Sequence, residues 1–520
     1  MPRWAAASTV SPDCGESEDE VHVRNEDVFP VPAGQVGHWD VTGDVVVIGG
    51  GCAGVSAALE SVRAGAETVL LESTGGLGGA SASAGGEIYL GGGTPIQSAC
   101  GFKDTPEEMT KFLIAALGPG ADEERITAYS EGSVEHFHWL SEQGVPFKAG
   151  LWEQPAWVPP TDDGLMWMGE NTYPYYELAV PAPRGHRPQS LGHGGWLLMD
   201  RLGARVAESA AQVIEGTRAD RLVVDDERRV VGVIARHLGG PFTVRARRGV
   251  VVCAGGFVFN DAMLAEHAPQ LLGHRKVGTE GDDGRGIRMA QAIGAQVRRM
   301  NAAQASLTVP IQLLARSLLV NRHGQRFINE DTYGGLVGLA ALDGHHAPVY
   351  MVMDDTGYEQ VPEKERLGRT PTWVSDSIAE LEQQVGLPDG ALQSSVESYN
   401  KHAERGADPQ FHKRAEFTRP LRPPFGIIDV CTSQILPGAD GGTVTNTGFG
   451  VFTTGGLATT TSGEVLDLNG DPITGLYAAG RTAAGIQAGG YISGTSLGDG
   501  TFFGRRAGRA AAVNLTGARG

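Results

Sequence analysis

β-branched apolar residues first run together without a break at Val45–Ile48, inside the stretch DVVVIGGGCAG. A row of β-branched residues fits a strand buried on both faces. Helical spacing over 55–63 follows, then a second apolar run at Thr68–Leu71. Strand, helix and strand in that order predict the unit of a parallel sheet. Further on, 105–145 and 190–211 are spaced as packing helices, and 219–250 reads as a meander with its clearest strands at Leu222–Val224 and Val230–Ala235. Arg248–Phe257, RGVVVCAGGF, predicts another buried strand that ends in glycines, and Gly281–Ala292 opens a helix. From about 301 to 436 glycine thins out and charge rises; Ser377–Glu380 forms a capping box before a periodic stretch, and Asp389–Ala403 predicts a second helix. After Pro437 the glycine-rich character returns, with a strand from Asp471 running into Gly480 and a last helix from near Ser496.

The expected class is α/β: a Rossmann-like dinucleotide-binding domain, discontinuous over 43–300 and 437–520, with an α+β substrate and catalytic domain inserted at 301–436. An acidic, irregular extension occupies 1–42.

The turn after the first strand carries candidate chemistry. Gly49, Gly51 and Gly54 have the spacing of a dinucleotide-binding loop. The first makes the turn, the second lets the backbone approach a pyrophosphate, and the third lets the helix pack close. The helix then points its free N–H groups at the phosphates. Glu72 ends the second strand about 20 residues later, where an acid holds ribose hydroxyls. The run STGGLGGASASAGG that follows, with Gly79, Ala80, Ser81, Gly85 and Gly86, offers a small-residue surface for wrapping a ligand. Ala254 and Gly255 end the later strand, Asp283 precedes the helix at 285, and Gly480 ends the last strand. All are candidate cofactor contacts.

Charge narrows the partners. Against 42 basic residues stand 61 acidic ones, for a formal charge of −19. That disfavours nucleic acid and anionic membranes. The five cysteines, Cys14, Cys52, Cys100, Cys253 and Cys431, form no C-x-x-C pair, so no metal site is expected and a reducing cytoplasm fits. MPRWAAASTVSPDCG has no apolar core of signal-peptide length, and no run of about 18 apolar residues predicts a membrane span.

GGGCAG, Glu72, GGASASAGG, the strand ending at Gly255, GLYAAGR and GTSLGDGTFFGRRAG together resemble the flavoproteins of the fumarate reductase and 3-ketosteroid dehydrogenase superfamily. GQRFINED and SVESYNKHAERGADPQF resemble the family's signatures in the inserted region, so the likeness runs from about residue 42 onward. The resemblance implies bound FAD, with Ala53, Glu72, Ala80, Ser81, Gly85, Gly86, Ala219, Ser496 and Leu497 at contacting positions. Ser496 and Leu497 would present helix N-terminal amides to the flavin pyrimidine edge, where negative charge develops on reduction.

Three departures from the family pattern bear on function. Relatives with covalent FAD carry a histidine where this chain has Ala80 and Ser81, so noncovalent FAD is expected. Relatives that reduce fumarate place a carboxylate-holding histidine before the T-x-G-G turn, where this chain has Phe452. Many relatives place an acid after GLYAAG, where this chain has Arg481.

GGYISGTSL at 489–497 resembles the segment in which 3-ketosteroid dehydrogenases carry the tyrosine that polarises the substrate's C3 carbonyl. Its Tyr-x-Ser form resembles the branch making the 4,5 double bond of 5α-3-ketosteroids, while enzymes of the 1,2 bond tend to Y-P-G-A-G. Tyr333, in NEDTYGG, matches the second catalytic tyrosine of the steroid enzymes. Desaturation beside a ketone requires a donor to the ketone oxygen, a base for the α-proton and an acceptor for hydride. The expected donors are the Tyr491 hydroxyl and a backbone N–H near Thr495. The expected base is Tyr333, with Ser493 as its relay, and the hydride acceptor is FAD. A free phenol titrates near ~10, so a base tyrosine needs help.

The resulting expectation is a 3-oxo-5α-steroid 4-dehydrogenase with a small hydrophobic ketone substrate and an external electron acceptor. Alternatives are a 3-ketosteroid 1-dehydrogenase or an enone-forming dehydrogenase of another polycyclic metabolite. An ene-reductase of the fumarate reductase type is disfavoured by Phe452. Arg326 and Glu330 read as a structural ion pair, His345 and His346 as solvated. Trp152, Trp157, Met166, Trp167 and Met168 lie in a Pro- and Gly-rich stretch, 150–190, that reads as a lid or as core packing.

Overall fold

The computed structural model describes residues 28–342, 348–431, 434–437, 443–446 and 448–514. His345, His346, Cys14 and the first 27 positions of the extension lie outside the described residues. β1 (Val41–Ile48), α1 (Cys52–Arg63) and β2 (Thr68–Leu71) form in the expected order. β1 and β2 pair in parallel, Val45 opposite Thr68 and Ile48 opposite Leu71. Val45 and Val47 face one core and Val46 and Ile48 the other. Burial of both faces is why the sequence is continuously apolar here and does not alternate.

The meander is β3 (Thr217–Val224), β4 (Val230–His237) and β5 (Gly240–Val252), all antiparallel. β5 is a single 13-residue strand that joins the last meander strand to the second buried strand. Its first half pairs with β4, and its second half runs parallel to β1 with a register shift between Ala246 and Gly249. β6 (Pro472–Ala478) then adds in parallel to the end of β5, Val250 opposite Leu476. Two segments more than 200 positions apart thus complete one sheet.

α2 (Thr495–Val513) lies along α1. Contact is close because α2 presents glycines: a Cβ at Gly504 would stand 2.4 Å from Ala53 O, and one at Gly508 2.1 Å from Ala57 O. The Ser61 hydroxyl donates to Gly508 O at 3.0 Å and ties the two helices together.

Between β5 and β6, Ala303–Leu307 pairs antiparallel with Phe449–Thr453. Beyond them Leu318–Val320, Tyr350–Asp354, Phe425–Asp429 and Trp373–Ser375 form a four-stranded antiparallel sheet. The helices Ile378–Val385 and Ala391–Ala403 belong to this part, and Ser377 Oγ caps the first by accepting the Glu380 N–H at 3.4 Å.

The Pro- and Gly-rich 150–190 stretch contributes strands. Leu151–Trp152, Leu165–Met166 and Gly185–His186 join Ile88–Tyr89 in a small sheet. Strands of two residues leave no periodicity to read. Among the described residues no helix is long and apolar enough to cross a membrane.

Candidate active site

A cavity of about 770 Å³ opens at the carboxyl ends of β1, β2, β5 and β6. That is where open α/β sheets bind ligands. The three glycines after β1 divide their roles as their spacing suggests. Gly49 has φ +101°, and a Cβ there would lie 2.4 Å from Cys253 O. Gly51 has nothing nearer than Ser81 Oγ at 3.6 Å, so its backbone faces open space in the cavity wall. Gly54 does not line the cavity: a Cβ there would fall 1.8 Å from Gly49 O, so it serves the packing of α1.

Of the other expected cofactor positions, Ala53, Glu72, Gly79, Ala80, Ser81, Gly85, Ala219, Ala254, Gly255, Asp283, Gly480, Arg481, Ser496 and Leu497 all line this cavity. Gly86 does not; it packs against Gly194. Glu72 is buried, its Oε2 accepting the Gly50 N–H at 2.7 Å and its Oε1 the Thr74 N–H at 2.8 Å. Ser81 Oγ accepts the Cys52 N–H at 3.2 Å.

The arrangement fits a dinucleotide with a flavin ring. The N-termini of α1 and α2 both open into the cavity, at Gly51–Ala53 and at Gly494–Leu497; each N-cap residue is a glycine without a side chain to cap the helix, and in α1 only the Cys52 N–H is taken, by Ser81. First-turn N–H groups have no partner within their helix, so both ends are available to a ligand's anionic groups. No histidine occurs in the 79–86 wall.

Tyr333, Tyr491 and Ser493 line the same cavity. They come from distant parts of the chain, Tyr333 from the stretch between β5 and β6 and the other two from the approach to α2. Tyr333 follows a buried charge cluster: Arg326 donates to Glu330 at 2.9 and 2.7 Å and to Asp408 at 3.0 and 2.8 Å, and Lys413 lies 3.1 Å from Glu330. None of these four lines the cavity, and the cluster clamps the segment that carries Tyr333. Trp157 meets Tyr333 edge-on, with ring centroids 6.2 Å apart, and its indole N–H donates to Val309 O at 3.0 Å.

Burial pushes the Tyr333 phenol well above its ordinary range, and the neighbouring Tyr491 adds to this; Ser493 pulls the other way. Burial also raises the Tyr491 phenol, with Ser496 opposing. Thr495 does not line the cavity, and its N–H and hydroxyl both go to Ile492 O, at 3.2 and 2.6 Å. Gly494, with φ +85°, is the backbone that faces the cavity at this turn.

Arg481 lines the cavity, paired with Asp282 at 2.8 Å and with its guanidinium 5.3 Å from the Phe452 ring centre. Of the residues in the 150–190 stretch weighed as lid or core, Trp157 lines the cavity, while Met166 and Met168 are core and Trp167 packs edge-on to Phe102.

Two acids escape a reading of the sequence. Asp282, not its neighbour Asp283, holds Arg481 and accepts the Gly256 N–H at 2.9 Å. Glu87 lines the cavity, is 5% exposed, and has an Oε1 that makes no hydrogen bond. The signal was there: a lone acid in the apolar run Glu87–Leu90 directly after two glycines.

Residues 44–497 match the FAD binding domain family. Among solved structures, the chain is similar to the 3-ketosteroid-delta4-(5alpha)-dehydrogenase from Rhodococcus jostii RHA1 in complex with 4-androstene-3,17-dione. That likeness is 48% identity with a TM-score of 0.87, over 93% of this chain and 100% of that one. It is 30% identical to the 4-oxocyclohexanecarboxylate 2-dehydrogenase of Sinomonas cyclohexanicum, over 92% of this chain and 94% of that protein. It is 27% identical to the 3-oxosteroid 1-dehydrogenase of Mycolicibacterium smegmatis, over 85% of this chain and 92% of that protein.

Proposed function

Because the chain belongs to the FAD-binding domain family of flavoprotein oxidoreductases, we propose that it introduces a double bond beside a ketone, acting as a 3-oxo-5α-steroid 4-dehydrogenase. The observation that carries this reading is the convergence of Tyr333, Tyr491 and Ser493 on the cavity that α1 and α2 open into. The likeness to the Rhodococcus enzyme, which was solved with a 4-ene-3-ketone, supports the choice of bond.

FAD, held without a covalent link, supplies the acceptor for the hydride that leaves the carbon next to the deprotonated one. The chain's own residues manage the ketone and the proton. The Tyr491 hydroxyl donates to the ketone oxygen; one such donor in a dry site contributes about 3–4 kcal/mol to the developing enolate. Tyr333 takes the α-proton. Its raised pKa means that the phenol is protonated at neutral pH, so it accepts this proton as its own passes to the Ser493 hydroxyl. Ser493 releases its own proton toward solvent as it receives this one, so no free phenolate is needed. Phe452 and Trp157 keep water from the reacting face.

The same reading divides the chain at about 301 and 436 into a cofactor-binding part and an inserted substrate part. It includes an external electron acceptor. It also places the protein in the cytoplasm, in keeping with free Cys52, Cys100, Cys253 and Cys431.

Anaerobic mixing of the yellow protein with a saturated 5α-3-ketosteroid tests the reading. Bleaching of the flavin by this compound, and not by a 4-ene-3-ketosteroid, is the expected result. Bleaching by the 4-ene compound moves the reaction to the 1,2 bond. Bleaching by 4-oxocyclohexanecarboxylate alone would replace the steroid with a simple cyclohexanone acid. The pairing of Arg481 with Asp282 weighs against that outcome, because it leaves this cation already neutralised.

A further inference from the structure

One wall of the cavity is a three-stranded sheet. Phe449–Thr453 is its central strand, antiparallel to Ala303–Leu307 on one side and parallel to Arg275–Lys276 on the other. Successive residues of a strand alternate between its faces. Ala305, Leu307, Phe449 and Val451 go to the core, which leaves Gln304, Ser306, Arg275 and Phe452 for the cavity, and all four line it. Two rows cross this face. Gln304 stands opposite Phe452 in the first; Ser306 stands opposite Gly450, and Gly450 opposite Arg275, in the second. The second row is two residues along the strand from Phe452, the ring that meets Tyr491, or about 7 Å.

The second row is polar and unfinished. Gly450 brings no side chain to it. A Cβ there would lie 2.8 Å from Arg275 Nη2 and 3.2 Å from Ser306 Oγ, so guanidinium and hydroxyl bracket one gap. Among the described residues four arginines line the cavity. Arg481 pairs with Asp282, and Arg218 and Arg285 pair with Asp220. Arg275, which is exposed, has no carboxylate within ion-pair distance among the described residues. Its neighbour Lys276 is taken by Asp261 at 2.7 Å. The next acid along the chain, Glu280, sits in the Thr279–Asp282 turn, which closes beside Arg481. Ser306 Oγ reaches only Gly450 O, at 3.3 Å. Gln304 is 5% exposed, and its amide has no hydrogen-bond partner among the described residues.

We propose that this row receives a carboxylate at the end of the substrate remote from its ketone, which makes the substrate a steroid acid. This rests on the dehydrogenase reading above. A planar guanidinium takes a carboxylate through two parallel N–H donors. The Ser306 hydroxyl and the Gln304 amide add donors on the same face. Distance from the ketone selects the skeleton. A cyclohexanone acid carries its carboxylate one ring away from the ketone, where Arg481 is already neutralised. A four-ring skeleton with a side chain carries it past Phe452 to Arg275.

The test compares two substrates of one ring system: a 3-oxo-5α-steroid whose D-ring side chain ends in a carboxylate, and its methyl ester. Wild-type protein loaded with FAD is expected to turn over the acid with a kcat/KM about tenfold above that of the ester, as a charged hydrogen bond gives. Added salt should shrink that ratio. Arg275→Gln is expected to bring the ratio to about one, and Arg275→Glu to turn it in favour of the ester. Gly450→Ala, which fills the gap with a methyl, should also reduce it; flavin retained by each variant reports an intact fold. Equal turnover of acid and ester by the wild type overturns the proposal, and so does a preference that survives Arg275→Gln. Both results leave the dehydrogenase reading standing, because the ester still bleaches the flavin. If no 3-ketosteroid bleaches it, that reading falls and the steroid acid falls with it.

Discussion

Phe452 stands edge-on to Tyr491, with ring centroids 5.4 Å apart and planes at 88°. The Phe449–Thr453 strand delivers this ring to the side of the cavity from which the phenol projects. Tyr491 is thus aimed by packing. Edge-to-face pairs contribute about 0.5–1.5 kcal/mol beyond area burial. Phe452→Ala should therefore slow flavin bleaching by up to about tenfold, whereas Tyr491→Phe, which deletes the donor itself, should slow it by about 10²–10³-fold. Single-turnover rates with a 5α-3-ketosteroid separate the two.

Tyr333→Phe should abolish turnover, by about 10²–10⁴-fold, while the purified protein stays yellow. Trp157, Gly335 and Gly169 enclose the ring, and its loss of one hydroxyl leaves that packing intact. Retained activity would remove Tyr333 from the mechanism; colourless protein would mean that its role is structural.

Gly54→Ala should fail to hold cofactor even though Gly54 is not in the cavity wall. The added methyl would drive into Gly49 O and force α1 away from the turn. Overpacking costs typically about 1–3 kcal/mol and more where backbone is hit. Flavin content after purification, with the thermal midpoint, reads the effect.

His186, on a strand of the small sheet, and Glu170, in the turn beside it that accepts from Tyr89 and Arg184, titrate in opposition. Burial raises Glu170 to about 7 and lowers His186 to about 4. A carboxyl raised in the fold makes stability fall as pH climbs from its unfolded value, 4.5, to about 7. An imidazole lowered in the fold contributes stability that is complete above its unfolded value, 6.5, and is lost as pH falls towards about 4. Each amounts to about 3 kcal/mol, and the slopes largely cancel over their shared range. Glu170→Gln should uncover the histidine's slope, with unfolding free energy rising between about pH 4 and 6.5. Urea titrations at a series of pH values measure this; an unchanged profile would show that Glu170 is ionised in the fold.

The sequence exposes the cofactor frame well, because each feature there is local. The β1 run is buried on both faces, the three glycines follow at fixed spacing, and Glu72 comes directly after β2, so a short window contains the whole unit. Ser377 caps its helix through the Glu380 N–H, but the Glu380 carboxylate accepts from Ser375, so the reciprocal half of the expected capping box does not form. What is hidden depends on distant chain. Nothing near Tyr333 in sequence says that Ser493 shares its cavity; the family resemblance suggested that pairing. Glu87 is unremarkable until Gly494 packs on its backbone. Asp282 and Asp283 are indistinguishable by type, and the choice between them is made by Arg481, 199 positions away. The sequence points to a backbone N–H near Thr495 for the ketone; the Thr495 N–H itself goes to Ile492 O.

Ser61 and Gly508, joined by a hydrogen bond, are 447 positions apart. A chain emerging from the ribosome therefore makes the first glycine turn and α1 long before their covering helix exists. Through that interval the face of α1 that Gly504 and Gly508 will cover stays open to other apolar partners, and the cofactor cradle lacks one of its two helix ends. Late docking of this kind, with its large loop-closure entropy, is slow and exposed to aggregation. Flavin supplied during synthesis should therefore raise the yield of native protein only once β6 and α2 have cleared the exit tunnel.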